Sequence, residues 1–214
     1  MKITEINSRF SSRQYIEPDF AELEKSCREN HIPIIDRDAA DLLKLQLQLK
    51  KPQKILEIGT AHGFSTLLLA KYSPKEAEIT AVELDPERAL KAKENFSRFN
   101  YQHKIDLKVG DAFDVLLYLK KDYDFIFLDA AKGQYFYLFE YLMELLAPGG
   151  LLISDNVLYK GKVLAQGKTR HKIRTMVNNL EKYLKLIMNH PELDSTIVTA
   201  GDGMAISRRK DINE

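Results

Sequence analysis

The chain has 214 residues, 44% hydrophobic and 29% charged, which suits one α/β domain with a sizeable core. A formal net charge of +1 excludes a global field that draws in polyanions, so any such partner has to meet a local patch. The single cysteine, Cys27, excludes an intrachain disulfide and gives no sign of an oxidising compartment.

The first 35 residues mix charge with short apolar stretches and predict one or two helices. The opening "MKITEINSRFSSRQ" lacks the apolar segment of a signal peptide, and no apolar run approaches a bilayer span, so a cytoplasmic protein with no membrane partner is expected. "RDAADLLKLQLQLKK" (37–51) is rich in helix formers and stops at Pro52. A regular alternation follows. Strands are predicted at 54–58, 78–84, 104–109, 123–129 and 151–155, and helices at 64–72, 86–99, 112–120 and 134–146. Such alternation argues a parallel sheet with helices on both faces. A helix at roughly 170–188 then precedes "STIVTAGDGMAISRR" (195–209), two β-rich runs joined by Gly-Asp-Gly, which predict an antiparallel hairpin.

Three successive strand ends carry glycine-rich or acidic turns. In "EIGTAHGFS" (57–65), Gly59 and Gly63 permit close approach of a ligand to the backbone, but the G-x-x-x-G spacing lacks the pyrophosphate cradle of dinucleotide folds. The second strand ends near Glu83, 24 residues after Gly59, where a carboxylate can accept from ribose hydroxyls; a solvated strand end is the plainer alternative. The third runs into "GDA", placing Asp111 and Ala112 on the same sheet edge, where open α/β sheets bind ligands.

"EIGTAHGFS", "AVELDPE", "GDA" and "YDFIFLDAAKGQY" resemble the successive motifs of class I S-adenosylmethionine-dependent methyltransferases. The resemblance implies a Rossmann-like seven-stranded sheet, mostly parallel with a C-terminal antiparallel hairpin, in a single domain over 1–214. The N-terminal helices within 1–50 would cover the active site. It implies that Glu57, Gly59 and the turn after them face the methionine part of S-adenosylmethionine, and that Ser65 bonds its carboxylate. Glu83 would hold the ribose, Asp111 with Ala112 the adenine, Ile32 would close over the cofactor, and Asp129 would border it.

The fourth strand ends on Asp129, with Lys132 three residues on, and the fifth ends in "ISDNV", which adds Asp155 and Asn156. Two carboxylates and an amide are hard oxygen ligands suited to Mg²⁺ and unsuited to Zn²⁺; helix capping by both aspartates is the plainer alternative. D-x-x-K followed by D-N resembles the metal-dependent catechol and caffeoyl-CoA O-methyltransferases. In that resemblance the metal chelates two adjacent oxygens, and Lys132 is the catalytic residue that receives the hydroxyl proton.

The segments "HIPI" (31–34), "DAAKGQY" (129–135), "DNVLYKG" (155–161), "MNHP" (188–191) and "GDGMAISRRK" (201–210) closely resemble the bacterial tRNA 5-hydroxyuridine methyltransferases, from about residue 25 to 210. This implies conversion of wobble 5-hydroxyuridine to 5-methoxyuridine, with a tRNA anticodon loop as partner and a homodimer as the assembly. The N-terminal helices are candidates for the dimer interface. Lys160, Lys162, Lys168, Arg170, Lys172 and Arg174 in 157–174 would meet phosphates, as would Arg208, Arg209 and Lys210; a solvated face is the alternative. Tyr159 is a candidate for stacking on the base, ahead of Tyr135 and Tyr137. A small catechol-type acceptor stands as the competing substrate.

Overall fold

The computed structural model describes residues 14–120, 122–165 and 171–211. Seven strands form one sheet: β1 Lys54–Ile58, β2 Glu78–Glu83, β3 Ile105–Val109, β4 Tyr123–Leu128, β5 Leu146–Ser154, β6 Leu193–Val198 and β7 Met204–Arg209. Their spatial order is β3-β2-β1-β4-β5-β7-β6. The pairings among β1 to β5 are parallel, and β7 runs antiparallel to both β5 and β6. The order reverses at β1, where β2 lies on one side and β4 on the other, and this switch point is where open α/β sheets bind ligands.

The period-two pattern of the central strands splits the core in two. Ile55, Phe125 and Phe127 join one cluster, with helices α1 Ala21–Glu29, α2 Arg37–Lys50, α3 Phe64–Tyr72 and α4 Pro86–Arg98. Leu56, Ile58, Ile126 and Leu128 join the other, with α5 Ala112–Leu116, α6 Tyr135–Leu145 and α7 His171–Asn189. The helices thus lie on both faces, as the alternation predicts. Among the described residues no helix is long and apolar enough to cross a membrane.

The N-terminal part is fastened by buried polar groups as well as by apolar packing. Glu17 accepts from Lys71 Nζ at 2.7 Å and from the Tyr72 hydroxyl, and Glu24 Oε2 accepts from the Ile16 N–H at 2.7 Å. A short 3-10 turn at Pro18–Phe20 then delivers Phe20 into the core, edge-on to Phe99.

Two boundaries differ by more than two residues from the sequence expectation. β5 begins at Leu146 because Leu146 pairs with Tyr123; a bulge absorbs the Pro-Gly-Gly stretch before Leu151 pairs with Phe125. α5 stops at Leu116, well short of 120, and the Leu117 and Tyr118 beyond it are exposed. The predicted hairpin is present, with β6 starting at Leu193, two residues earlier than expected.

Candidate active site

Consecutive backbone hydrogen bonds tie the carboxyl ends of the parallel strands together. The Gly110 N–H donates to Glu83 O at 2.9 Å, Gly59 to Val82 O at 2.9 Å, Asp129 to Ile58 O at 2.9 Å and Asp155 to Leu128 O at 3.0 Å. Each turn therefore starts in register with its neighbour, and the acidic residues at the strand ends share one edge. Gly59 makes this possible: its φ is +97°, and a Cβ there would lie 2.2 Å from the Asp129 carbonyl oxygen.

A cavity of about 570 Å³ opens over this edge. At one end Glu83, Asp111 and Ala112 line it. The Glu83 carboxylate is buried and fixed by two main-chain donors, the Ala61 N–H at 2.7 Å and the Asp85 N–H at 3.0 Å. Each oxygen keeps a lone pair for a ligand hydroxyl. Asp111 caps α5, accepting from the Phe113 N–H at 2.9 Å, so the capping role and a place on the cavity wall coexist in one side chain.

At the other end Asp129, Lys132, Asp155 and Asn156 line the cavity. Lys132 Nζ lies 2.5 Å from Asp129 Oδ1. Burial pushes the Asp129 carboxyl above the usual range, against the pull of the Lys132 ammonium; Asp36 adds to the upward push. Asp155 is wholly buried, and burial followed by the charge of Asp129 pushes its pKa to about 7. Its Oδ1 accepts from the Asn156 N–H at 2.8 Å, while Oδ2, also buried, has no hydrogen-bond partner among the described residues. Among the described residues no three His, Cys, Asp or Glu side chains converge on one point. A cation here would rest on two carboxylates and an amide.

The family model for O-methyltransferases matches residues 11–210 of this sequence. The chain belongs to the O-methyltransferase family. Among curated relatives of this O-methyltransferase, a catechol O-methyltransferase of Niastella koreensis is 32% identical over 174 residues, 77% of each chain. A caffeoyl-CoA O-methyltransferase of Populus trichocarpa is 30% identical over 180 residues, 80% of this chain and 73% of that one. A candidate caffeoyl-CoA O-methyltransferase from Staphylococcus aureus superposes with a TM-score of 0.84 at 30% identity, covering 97% of both chains. An O-methyltransferase from Bacillus cereus, solved in complex with SAH, shares the fold with a TM-score of 0.83 at 24% identity and 97% coverage of each chain.

Within this O-methyltransferase the predicted residues fall into two groups. Gly59, Glu83, Asp111, Ala112, Asp129, Lys132, Asp155 and Asn156 meet at the cavity. Ser65, Glu57 and Ile32 are placed away from its wall. Glu57 is fully buried and accepts from Ser65 Oγ at 2.6 Å, from Thr60 Oγ1 at 3.2 Å and from the Thr66 hydroxyl. Burial pushes its pKa to about 7 despite the three donors. Ser65 is thereby committed to Glu57, and the pair props the turn from below. Ile32 packs on the core beneath α1, and its neighbours Pro33 and Ile34 line the cavity instead.

The sequence also gave no clear signal for Tyr135 and Arg88. Tyr135, weighed as a stacking or partner-facing residue, is fully buried; its hydroxyl meets Leu128 O at 3.0 Å and Asp155 O at 3.1 Å. It braces the two strand ends that carry Asp129 and Asp155. Arg88, in the first turn of α4, lines the cavity beside Asp85. "D-P-E-R" reads simply as a capped helix start, so nothing in the sequence marked its side chain as facing a ligand.

The turn after Asn156 borders the site. Asn156, Tyr159 and Lys160 adopt positive φ, at 56°, 46° and 55°. The turn is held to the β6–β7 connection: the Val157 N–H donates to Gly203 O at 2.9 Å, and the Lys160 N–H donates to both Asp202 carboxylate oxygens, at 2.6 and 2.8 Å. Lys162 Nζ sits 4.9 Å from the centre of the Tyr159 ring. Of the other predicted phosphate contacts, Lys168 and Arg170 lie outside the described residues, and only the backbone of Lys172 is described. Arg208 and Arg209 are engaged with Asp211 and Glu192.

Proposed function

We propose that this O-methyltransferase takes a methyl group from S-adenosylmethionine and transfers it to one of two adjacent oxygens of its acceptor, with a divalent cation, Mg²⁺, in the site. The observation that carries the reading is the buried, unpartnered Asp155 Oδ2 beside Asp129 and Asn156. A carboxylate oxygen left without a partner in a protein interior is costly, and a hard cation offsets that cost. The donor set therefore fits Mg²⁺, held by Asp129, Asp155 and Asn156. Bound there, such an ion would supply Lewis-acid chemistry, favouring the ionised form of an acceptor hydroxyl.

The chain's own residues account for the remaining parts. Glu83 offers the ribose a carboxylate already fixed by two N–H groups, so little ordering is needed on binding. Asp111 and Ala112 stand where the adenine would meet them, and the turn at Gly59 lets the donor approach the backbone. Lys132, on the cavity wall, acts as the base: its ammonium first gives a proton to solvent, and the amine then takes the acceptor's hydroxyl proton as the oxygen attacks the methyl carbon, the carbon–sulfur bond breaks and S-adenosylhomocysteine leaves. Without a cation in the site, Asp129 holds the Lys132 nitrogen at 2.5 Å.

For the acceptor we infer the 5-hydroxyl of wobble 5-hydroxyuridine in a tRNA anticodon, giving 5-methoxyuridine. Its 5-hydroxyl and 4-oxo groups form the vicinal pair. The support is the turn from Val157 to Lys162, which follows directly on Asn156 of the cavity wall and carries Tyr159, Lys160 and Lys162 to meet a splayed base and its phosphates. A second reading, a small catechol-type acceptor, is favoured by the relatives, which are named for catechol and caffeoyl-CoA.

Methyl transfer from labelled S-adenosylmethionine separates the two. tRNA bearing 5-hydroxyuridine and a catechol are offered in parallel, each with Mg²⁺ and with EDTA. Label in the tRNA alone, lost with EDTA, is expected. Label in the catechol alone keeps the chemistry and replaces the substrate, and label that survives EDTA removes the cation from the reading.

A further inference from the structure

Lys132 is the first residue of a short 3-10 turn, Lys132–Gln134, which no side chain caps at its N-terminus. Its ammonium rests on Asp129 at 2.5 Å, and a cation bound as read above competes for that carboxylate. The turn has a second anchor, on α7. Asn179, buried there, donates from Nδ2 to the Gly133 carbonyl oxygen at 3.0 Å. Met176, three residues earlier on the same helix face, packs on the same glycine: a Cβ on Gly133 would lie 3.7 Å from Met176 Cγ and 3.9 Å from its Cα. One turn further along, Tyr183 meets the Tyr135 ring edge-on, with centroids 5.5 Å apart, and its hydroxyl shares a hydrogen bond of 2.5 Å with Ser154 Oγ. One stripe of α7, made of Met176, Asn179 and Tyr183, therefore meets the residue after Lys132 and the residue before Asp155.

A lysine nitrogen rides on a flexible four-carbon stem, so the backbone it leaves from sets where it can reach. We propose that Asn179 is a positioning residue for methyl transfer: through the Gly133 carbonyl it fixes the turn from which Lys132 reaches the acceptor hydroxyl, independently of the Asp129 ion pair. This rests on the reading of Lys132 as the base. The amide suits the task. It carries no charge, so it competes neither with Lys132 for Asp129 nor with the site for a cation. Its bond runs to main chain, so it persists when the lysine changes partner. Misplacement of a reacting group by about 1 Å is enough to slow a reaction by up to about 10²-fold, so a buried hydrogen bond beside the base has leverage on the rate.

The test is a double-mutant cycle on the full chain. Asn179→Leu keeps the bulk and removes the donor; Asn179→Ala removes both. Each is made in the unaltered chain and in Lys132→Ala, and single-turnover methyl transfer is followed to whichever of 5-hydroxyuridine tRNA and a catechol takes the label. In the unaltered chain Asn179→Leu is expected to lower the rate roughly 5- to 50-fold, the scale on which residues of one network are coupled, with S-adenosylmethionine affinity unchanged by calorimetry. In Lys132→Ala the same substitution is expected to cost nothing further, because it acts through the lysine. An unchanged rate in Asn179→Leu overturns the proposal, and so does a loss seen in Asn179→Ala alone, which makes the residue one of packing. A loss of equal size in both backgrounds, or weakened donor binding, overturns it too, by making Asn179 a general support of the fold. If Lys132→Ala is itself fully active, or if neither acceptor takes label, the reading of the site fails and this proposal fails with it.

Discussion

Lys132 Nζ and Asp129 Oδ1 are 2.5 Å apart at the rim of the cavity, joined across three residues of one turn. The ammonium lies where positive charge is wanted, against a carboxylate that burial pushes toward neutrality. The proposed proton acceptor and a proposed metal ligand are therefore each other's partner until a cation takes over one of them. Lys132→Ala is expected to cut kcat by roughly 10²- to 10⁴-fold, the range for loss of a general base, with S-adenosylmethionine affinity nearly unchanged by calorimetry. Lys132→Arg is not expected to rescue, because a guanidinium stays protonated. Recovery of activity in the arginine variant shows that charge, not proton transfer, is what this position supplies.

Asp155 carries the cation assignment. Asp155→Ala is expected to abolish transfer and to leave donor binding largely intact. Asp155→Asn adds a reading that needs no substrate. It removes a buried carboxylate with an unpartnered oxygen, so the metal-free chain is expected to melt higher, by roughly 2–4 °C per kcal/mol gained. Full activity in either variant with Mg²⁺ present removes Asp155 from the site.

Glu83 is tested on the donor alone. Glu83→Ala is expected to weaken S-adenosylmethionine binding by roughly 10- to 100-fold, the scale of lost hydrogen bonds to a charged group. It also strands the N–H groups of Ala61 and Asp85. Glu83→Gln keeps one acceptor oxygen and is expected to fall between. Unchanged affinity in both variants places the ribose elsewhere.

Glu57 predicts a pH signature in stability. Its pKa is about 7 in the fold against a reference of 4.5, burial being the largest cause. Between those values the folded chain keeps a proton that the unfolded chain has released. Stability therefore falls as pH rises from about 4.5 to about 7 and levels off above it. Asp155 acts with the same sign, since its pKa is also raised. Urea unfolding at steps from pH 5 to 8 is expected to show a smaller fall in Glu57→Gln, the difference being at most on the order of 3 kcal/mol. Parallel profiles in the two chains mean that Glu57 is ionised in the fold throughout.

Much of this was legible in the sequence because it is periodic or punctuated. Strand and helix alternate at spacings that follow from their geometry, and the acidic turns fall at strand ends, which a parallel sheet collects on one edge. What stayed hidden depends on contacts between distant segments. Nothing in "GFST" says that Ser65 and Thr66 turn inward to Glu57 on the preceding strand. The aromatic run 135–141 does not reveal that Tyr135 alone reaches the Leu128 and Asp155 carbonyls. Pro148 and the two glycines after it read as a stop, yet Leu146 still finds Tyr123 across the bulge.

The ledge from Val157 to Lys162 is anchored by main-chain donors on the Asp202 carboxylate and on main-chain carbonyls of the same connection. Val157 is also wholly buried and Leu158 and Tyr159 pack on the core, whereas Lys160 takes part only through its N–H and leaves its side chain exposed; the groups proposed to hold the methyl donor come from β1, β2 and β3, away from this segment. The exposed side chain at position 160 can therefore be exchanged without loosening this turn or disturbing the strands proposed to hold the donor, so the surface an acceptor meets is separable there from the scaffold beneath it.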